Sequence, residues 1–146
     1  ERPDEITTEG GLQVSAQRDV LSKHVSVLRD AGILTSIFVD PDQEQVKACH
    51  RVNVDLIEIN TARYTEARTP GGAEKELEKV ILCAKAGVKL GMGIAAGHGL
   101  NYQNVRPVAV VSEIEEFNIG HAIIGRAVLV GIEKAVQEMR TLILTA

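Results

Sequence analysis

Two histidine-containing segments carry the residue types best suited to chemistry in this chain. Residues 97–102 (GHGLNY) and 118–126 (NIGHAIIGR) each follow an apolar, strand-like run, and each places a histidine beside glycine before a helix-like stretch. Glycine lets the backbone approach a ligand closely, and the free N–H groups at a helix start favour an anion, phosphate above all. Together the two segments predict a phosphorylated small molecule bound at one end of a parallel sheet.

The pattern of apolar residues predicts alternating helices and strands, which would bring the two segments together. In chain order we expect a helix over 12–31 that Gly32 ends, a strand over 33–39, a helix over 41–52 begun by Asp40 and Pro41, a strand over 55–60, a helix over 73–85 stopped by Gly87, a strand over 90–96, an irregular helix over 102–111, a strand over 116–119 and one long helix over 122–144. Such alternation indicates a parallel α/β sheet with right-handed crossovers. Ligands bind at the carboxyl ends of parallel strands, and both segments follow such ends on strands that we expect to be neighbours.

The composition argues against a nucleic-acid-binding protein and against a membrane-spanning one. The 146 residues fit one domain spanning 1–146, and the net charge of −4 with 3% aromatic residues argues against nucleic acid as a partner. No apolar run approaches the roughly 20 residues of a membrane span. Cys49 and Cys83 lack the spacing of a metal site, so we expect reduced core thiols and a cytoplasmic location.

Four segments closely resemble the pyridoxine 5′-phosphate synthase family. They are residues 7–12 (TTEGGL), 38–42 (FVDPD), 96–105 (AGHGLNYQNV) and 118–127 (NIGHAIIGRA). The resemblance covers essentially the whole chain but only the C-terminal portion of the family's length. It implies a TIM-type (β/α)8 barrel, of which this chain would supply about half: four βα units preceded by a helix.

The resemblance also implies a reaction and its residues. The reaction condenses 1-deoxy-D-xylulose 5-phosphate with 3-amino-2-oxopropyl phosphate to pyridoxine 5′-phosphate, inorganic phosphate and water, without a metal or organic cofactor, in a large homo-oligomer. By this resemblance His98 is a proton donor, Gly99 and Thr7 contact substrate, and Gly120 and His121 contact a substrate phosphate.

The chain departs from the family pattern in several places. Residues 60–62 read Asn-Thr-Ala where the family usually has His-Thr-Gly, and Ala95 stands where an asparagine is common. The family's other acid/base residues, a histidine and a glutamate, belong to earlier strands that have no counterpart here. The first residue is Glu1 rather than methionine. We therefore expect a piece of a longer protein.

Three functional readings stay open on the sequence. The first is part of an enzyme, in which His98 moves protons and Gly120 and His121 anchor a phosphate. The second is a phosphate-binding half-barrel without catalytic activity of its own. The third is a piece that pairs through its open sheet edges, with itself or with a missing half, or that closes into a flavodoxin-like sheet.

Several single residues complete the sequence-based expectations. Glu58 alternates with two apolar neighbours on its strand, which suits a buried, paired carboxylate and a site residue equally. His24 and His50 lie beside charged residues on helices, so we expect them at the surface. Arg126 suits a salt bridge better than a phosphate clamp. Residues 63–64 (Arg-Tyr) are weaker candidates for part of a lid.

Overall fold

A computed structural model describes residues 10–146 of the chain. Thr7, a predicted substrate contact, lies outside the described residues. Within 10–146 the elements are, in order, α1 Arg18–Asp30, β1 Ser36–Val39, α2 Gln43–Val52, β2 Leu56–Asn60, α3 Ala62–Thr65, α4 Pro70–Lys89, β3 Gly93–Gly97, α5 Arg106–Ala109, β4 Glu116–Asn118, α6 His121–Val130 and α7 Ile132–Leu144.

The four strands form one sheet in the order β1-β2-β3-β4, and every neighbouring pair is parallel. This confirms the predicted parallel α/β architecture and the predicted contact between β3 and β4. The register aligns Asn60, Gly97 and Asn118 across the last three strands. The carboxyl ends of these strands therefore meet along one rim.

The sheet has one apolar face and one polar face, because successive strand residues point to opposite sides. Helices cover the apolar face, and its side chains are buried in the core: Ile37, Val39, Ile57, Ile59, Ile94 and Ala96. Burial of each of these isoleucine and valine side chains stabilises the fold by about 1.5–3 kcal/mol. The opposite face, called the polar face below, carries Glu58 and Asn118 together with the apolar Phe38 and Ala95. The polar face therefore adjoins the rim at which we expect a ligand.

Tertiary contacts displace two predicted helix starts. The first helix begins at Arg18 rather than at 12, because Leu12 N–H donates to Phe38 O at 2.8 Å and so pairs with the end of β1. The second helix is capped by Asp42 rather than Asp40, and the Asp42 carboxylate accepts from Glu44 N at 2.8 Å.

Asp40 is instead part of a bridge at the rim. Its Oδ1 accepts from Gly11 N at 3.0 Å and from Asn60 Nδ2 at 2.9 Å. The predicted N-cap role of Asp40 is therefore wrong, because its carboxylate is bound to partners that are distant in sequence.

The predicted stop at Gly87 is wrong. The α4 helix runs from Pro70 to Lys89, and Gly91, with φ +83°, follows its end. Gly87 is buried inside the helix, where a Cβ would overlap the Ile94 side chain of β3. A glycine at this position is therefore needed for close packing of helix on sheet rather than for ending the helix.

The predicted long C-terminal helix is also wrong, because it is two helices. Gly131, with φ +84°, separates α6 from α7, a conformation that favours glycine. The α7 helix buries Ala135 and Met139, whereas α6 buries no residue in the described part of the chain. The irregular helix expected over 102–111 is confirmed only as the short α5, and the short α3 was not expected.

Both cysteines are confirmed as core thiols. Cys49 and Cys83 are buried and unpaired. Burial raises the pKa of Cys49 to about 12 and that of Cys83 to about 11, so both stay protonated at neutral pH. Among the helices of residues 10–146, none is both long enough and apolar enough to span a bilayer.

Candidate active site

The carboxyl ends of β3 and β4 open into one cavity of about 770 Å³. Its lining residues are His98, Gly99, Leu100, Asn101, Asn118, Ile119, Gly120, His121 and Ala122. The structure thus brings together four of the five residues predicted from sequence, and the fifth, Thr7, is outside the described residues. The two histidine segments meet at one rim, which is the geometry that the sequence argument required.

His98 has an unusual backbone conformation. Its φ is +82°, and Gly99 follows with φ +73°. A positive φ is common for glycine but uncommon for other residues and costs free energy that neighbouring contacts must offset. Asn104 Nδ2 donates to Gly99 O at 3.1 Å, and a Cβ at Gly99 would overlap Thr65 Oγ1. The sequence hinted at this bend only through the glycines on both sides of His98.

The His98 side chain lies on the polar face of the sheet. Its ring centroid is 6.3 Å from that of Phe38, with the ring planes tilted by 37°. The side chain is neither fully buried nor fully exposed. An imidazole in this position reaches both the cavity and water, which suits a group that gives and regains a proton.

Glu58 joins the site from β2. Its Oε2 accepts from Asn118 Nδ2 at 2.9 Å, and Gly97, which has no side chain, leaves room for its Oε1. Partial burial raises the pKa of Glu58 above its usual value, Asn118 and His98 oppose that rise, and Glu116 adds to it. The structure thus shows a partly buried carboxylate that is hydrogen-bonded to a cavity-lining residue, Asn118, and a role of Glu58 in the site stays a prediction.

Replacing Glu58 by glutamine should increase the free energy of unfolding at neutral pH. A raised native pKa means that the native state binds a proton more readily than the unfolded state. The stabilisation that protonated Glu58 gives to the fold is therefore fully present below its unfolded pKa of about 4.3. It is lost as the pH rises through the native pKa. Urea unfolding of both proteins across a pH series measures this difference.

The matched control for this prediction is Glu78→Gln on the exposed surface of α4. It should change the pH dependence little. If the free energies of unfolding of Glu58→Gln and of the wild type fall in parallel from acid to neutral pH, ionisation of the buried Glu58 carboxylate does not destabilise the fold.

Gly120 and His121 form the second half of the cavity. Gly120 is the N-cap of α6 and supplies no side chain to its first turn, and His121 and Ala122 open the helix. The first amides of a helix lack intrahelical acceptors and carry the positive end of the helix dipole. Since these residues line the cavity and Gly120 and His121 are exposed, the helix start can receive an anion.

The charge pattern around the cavity is unusual for a phosphate site. None of the described lining residues is a lysine or an arginine. Arg126 pairs with Glu138 at 2.8 Å, which confirms its predicted salt bridge. Imidazole groups, the side-chain amides of Asn101 and Asn118, and backbone N–H groups are thus the donors that this lining offers to an anion.

The remaining candidates lie elsewhere. His24 and His50 are exposed on α1 and α2, as predicted. Arg63 is exposed, whereas the buried Tyr64 donates its hydroxyl to Asn104 O at 2.8 Å and thereby ties α3 to the loop after β3. Among residues 10–146, no group of three or more histidine, cysteine or acidic side chains is arranged to hold a metal ion.

Comparison with known proteins places the chain in a family. The family model "Pyridoxal phosphate biosynthesis protein PdxJ" matches residues 1–145. The chain belongs to the PdxJ family. This confirms the resemblance read from the four sequence segments.

Curated relatives of the PdxJ family agree with this assignment. The chain is 52% identical over 143 residues to a pyridoxine 5′-phosphate synthase of Syntrophotalea carbinolica, 51% identical to that of Geobacter sulfurreducens and 48% identical to that of Geotalea uraniireducens. Each match covers 98% of this chain and 60% of the relative. The chain therefore spans about three-fifths of the length of these relatives.

Proposed function

We propose that this chain supplies one side of the active site of a pyridoxine 5′-phosphate synthase, a transferase of vitamin B6 biosynthesis. The reaction condenses 1-deoxy-D-xylulose 5-phosphate with 3-amino-2-oxopropyl phosphate to pyridoxine 5′-phosphate, inorganic phosphate and water. The observation that carries the proposal is the single cavity that His98 and His121 share at the ends of two neighbouring strands. Both substrates are phosphate esters, which matches a cavity with an anion-binding helix start at one end.

The proposed roles follow from position. The amides at Gly120 and His121, with the His121 imidazole, hold a substrate phosphate, while His98 gives a proton to an oxygen that leaves as water during ring closure. Gly99 lets substrate approach the backbone. Thr7 is proposed as a further substrate contact on the family resemblance alone. No metal or organic cofactor is needed in this scheme.

We also propose that residues 1–146 form a single domain that is about half of a TIM-type (β/α)8 barrel. In support, the described sheet is parallel, helices cover one face, and the other face carries Glu58 and Asn118, the second of which lines the cavity. In such a barrel the polar face would point inward and the ends of the strands would form the active-site rim. The unpaired thiols support a location in the reducing cytoplasm.

Titration of the chain with inorganic phosphate, followed by amide NMR, tests the binding half of this proposal. We expect saturable shifts at Gly120, His121 and Ala122. Since a charge-assisted hydrogen bond contributes about 1.5–3 kcal/mol, His121→Ala should weaken binding by roughly tenfold or more. The matched control is His50→Ala, an exposed histidine on α2, which should leave the affinity unchanged.

Shifts centred elsewhere, for example at the arginines Arg29 and Arg51, would contradict the proposed phosphate site. Turnover with the two substrates, measured on the same sample, separates the enzyme from the second candidate function. That candidate is a phosphate-binding half-barrel without activity of its own, and what favours it is that the chain spans only 60% of the relatives' length. Binding without turnover is the result that it predicts.

The chain should also associate into homo-oligomers through the region around α6. Val128 and Leu129 on this helix are 82% and 79% exposed, and the adjoining strand β4 pairs on one side in the described sheet. Large exposed apolar surface beside an open strand edge favours association. Sedimentation velocity should therefore show species larger than a monomer, and the double variant Val128→Glu/Leu129→Glu should be monomeric.

Val88→Glu is the control for that experiment. Val88 is 47% exposed on α4, which packs over the middle strands rather than beside an edge. This variant should sediment like the wild type. A wild-type chain that remains a monomer at every concentration tested would contradict the expected association.

A further inference from the structure

Thr61 is hydrogen-bonded to the backbone on both sides of the His98 Cα. It is fully buried at the end of β2, and its N–H donates to Gly97 O at 2.8 Å. Its hydroxyl lies 2.8 Å from the same oxygen and 2.6 Å from His98 O, so its one proton is shared between the two carbonyls. One side chain thus contacts two consecutive carbonyl groups, although 37 positions separate Thr61 from His98.

These two carbonyls determine the conformation of His98. The Gly97 carbonyl belongs to the peptide plane before the His98 Cα, and the His98 carbonyl belongs to the plane after it. Because peptide groups are planar, fixing the orientation of both planes fixes φ and ψ of the residue between them. The φ of +82° at His98 is costly for a residue with a side chain, so it persists where such contacts hold it.

Thr61 acts without touching the cavity. It has no exposed surface and is not among the lining residues, whereas His98 is. Asn104 and Thr65 contact the next residue, Gly99, whereas the Thr61 hydroxyl is bound to the carbonyls on either side of the His98 Cα.

We propose that Thr61 is a positioning residue, which holds His98 in the left-handed conformation that directs its imidazole into the cavity. The assignment rests on the proposed function in so far as His98 transfers a proton there. The geometric part, which is that the Thr61 hydroxyl maintains the positive φ of His98, can be tested without any activity.

The test compares Thr61→Val, which keeps the shape and removes the hydroxyl, with Thr61→Ser, which keeps the hydroxyl. Backbone chemical shifts and three-bond couplings of His98, measured by NMR on the 146-residue chain, report its φ. We expect Thr61→Val to lose the positive-φ signature or to populate several conformers, and Thr61→Ser to retain it. If Thr61→Val does not fold, Thr61→Cys replaces it, because a thiol donates weakly and should give partial loss.

Thr35→Val is the matched control, because Thr35 is a second buried threonine of the same sheet whose hydroxyl donates to Asp55 Oδ2 at 2.8 Å. It lies before the start of β1, at the opposite end of the sheet from His98. This variant should lose stability while leaving the His98 signals unchanged. An unchanged positive φ in Thr61→Val, or in Thr61→Cys if that variant is used, would overturn the proposal.

A second readout separates this inference from the proposed function. Phosphate titration of Thr61→Val should still shift Gly120 and His121, which are not among the contacts of Thr61. In a chain of the relatives' full length, Thr61→Val should lower kcat by roughly 10- to 100-fold with little change in KM, as expected for a misplaced catalytic group, and Thr61→Ser should recover most of that loss. If His98 proves dispensable for turnover, the proposed function fails, and the NMR result still decides the role of Thr61.

Discussion

Replacement of His98 by glutamine should lower the formation of pyridoxine 5′-phosphate by roughly 10²- to 10⁴-fold, the range expected when a general acid or base is removed. Glutamine keeps the approximate size and hydrogen-bonding capacity of the side chain but cannot take up and release a proton near neutral pH. The measurement is isotope-detected product formation in a chain of the relatives' full length. Binding of inorganic phosphate should be retained, because Gly120 and His121 remain in place.

His50→Gln is the matched control for this effect. His50 is an exposed histidine on α2, so turnover should stay at the wild-type level. The comparison of turnover with phosphate binding in His98→Gln is informative, because a variant that fails to fold would lose both. Near-normal turnover in His98→Gln would take His98 out of the mechanism and leave the cavity with a binding role only.

Replacement of Gly99 by alanine should destabilise the chain by about 2–5 kcal/mol. Two costs add: a left-handed conformation costs a residue with a Cβ about 1–2 kcal/mol, and overpacking costs about 1–3 kcal/mol more. The first applies because Gly99 has φ +73°, and the second because its Cβ would overlap Thr65 Oγ1. Urea unfolding of the two proteins measures the total.

Gly91→Ala separates the two costs. Gly91 has a similar φ of +83°, and nothing lies within 4 Å of the position that its Cβ would occupy. This control should therefore show the conformational cost alone. In the double variant Gly99→Ala/Thr65→Ala, removal of the Thr65 hydroxyl should recover most of the steric cost. Equal destabilisation by Gly99→Ala and Gly91→Ala would show that Thr65 moves aside and that its contact with Gly99 does not define the bend.

Helix and strand boundaries show where local sequence signals were sufficient and where they were not. The strands β1 and β2 could be predicted from their runs rich in branched apolar residues, and β3 and β4 from short segments between helix-like stretches. The predicted stop at Gly87 was wrong because glycine has two uses, to end a helix or to admit a neighbouring side chain, and only the position of Ile94 distinguishes them. Asp40 was predicted as the N-cap of the second helix, but its carboxylate is bound by Gly11 and Asn60, and Asp42 caps the helix instead.

The candidate site also has some features that the sequence predicted and others that it did not. Glycine beside histidine after two neighbouring strands was enough to predict that His98 and His121 meet at one rim, because parallel topology brings the carboxyl ends of adjacent strands together. The role of Thr61 had no signal in its own neighbourhood. The pKa of Glu58 likewise depends on the folded sheet, because burial raises it and a hydrogen bond from Asn118, which is 60 positions away, opposes that rise.

By itself, the sequence determined the parallel α/β architecture, the order in which strands and helices alternate, the two histidine corners and membership of the PdxJ family. All of these depend on residue types within a few positions of each other or on their order along the chain. Only the tertiary structure decided the left-handed conformation of His98, the hydrogen bonds from Thr61 to the carbonyls of Gly97 and His98, and the environment of Glu58. Hydrogen bonds and desolvation of this kind join residues that are distant in sequence, so they exist only once the strands are paired and the helices are packed.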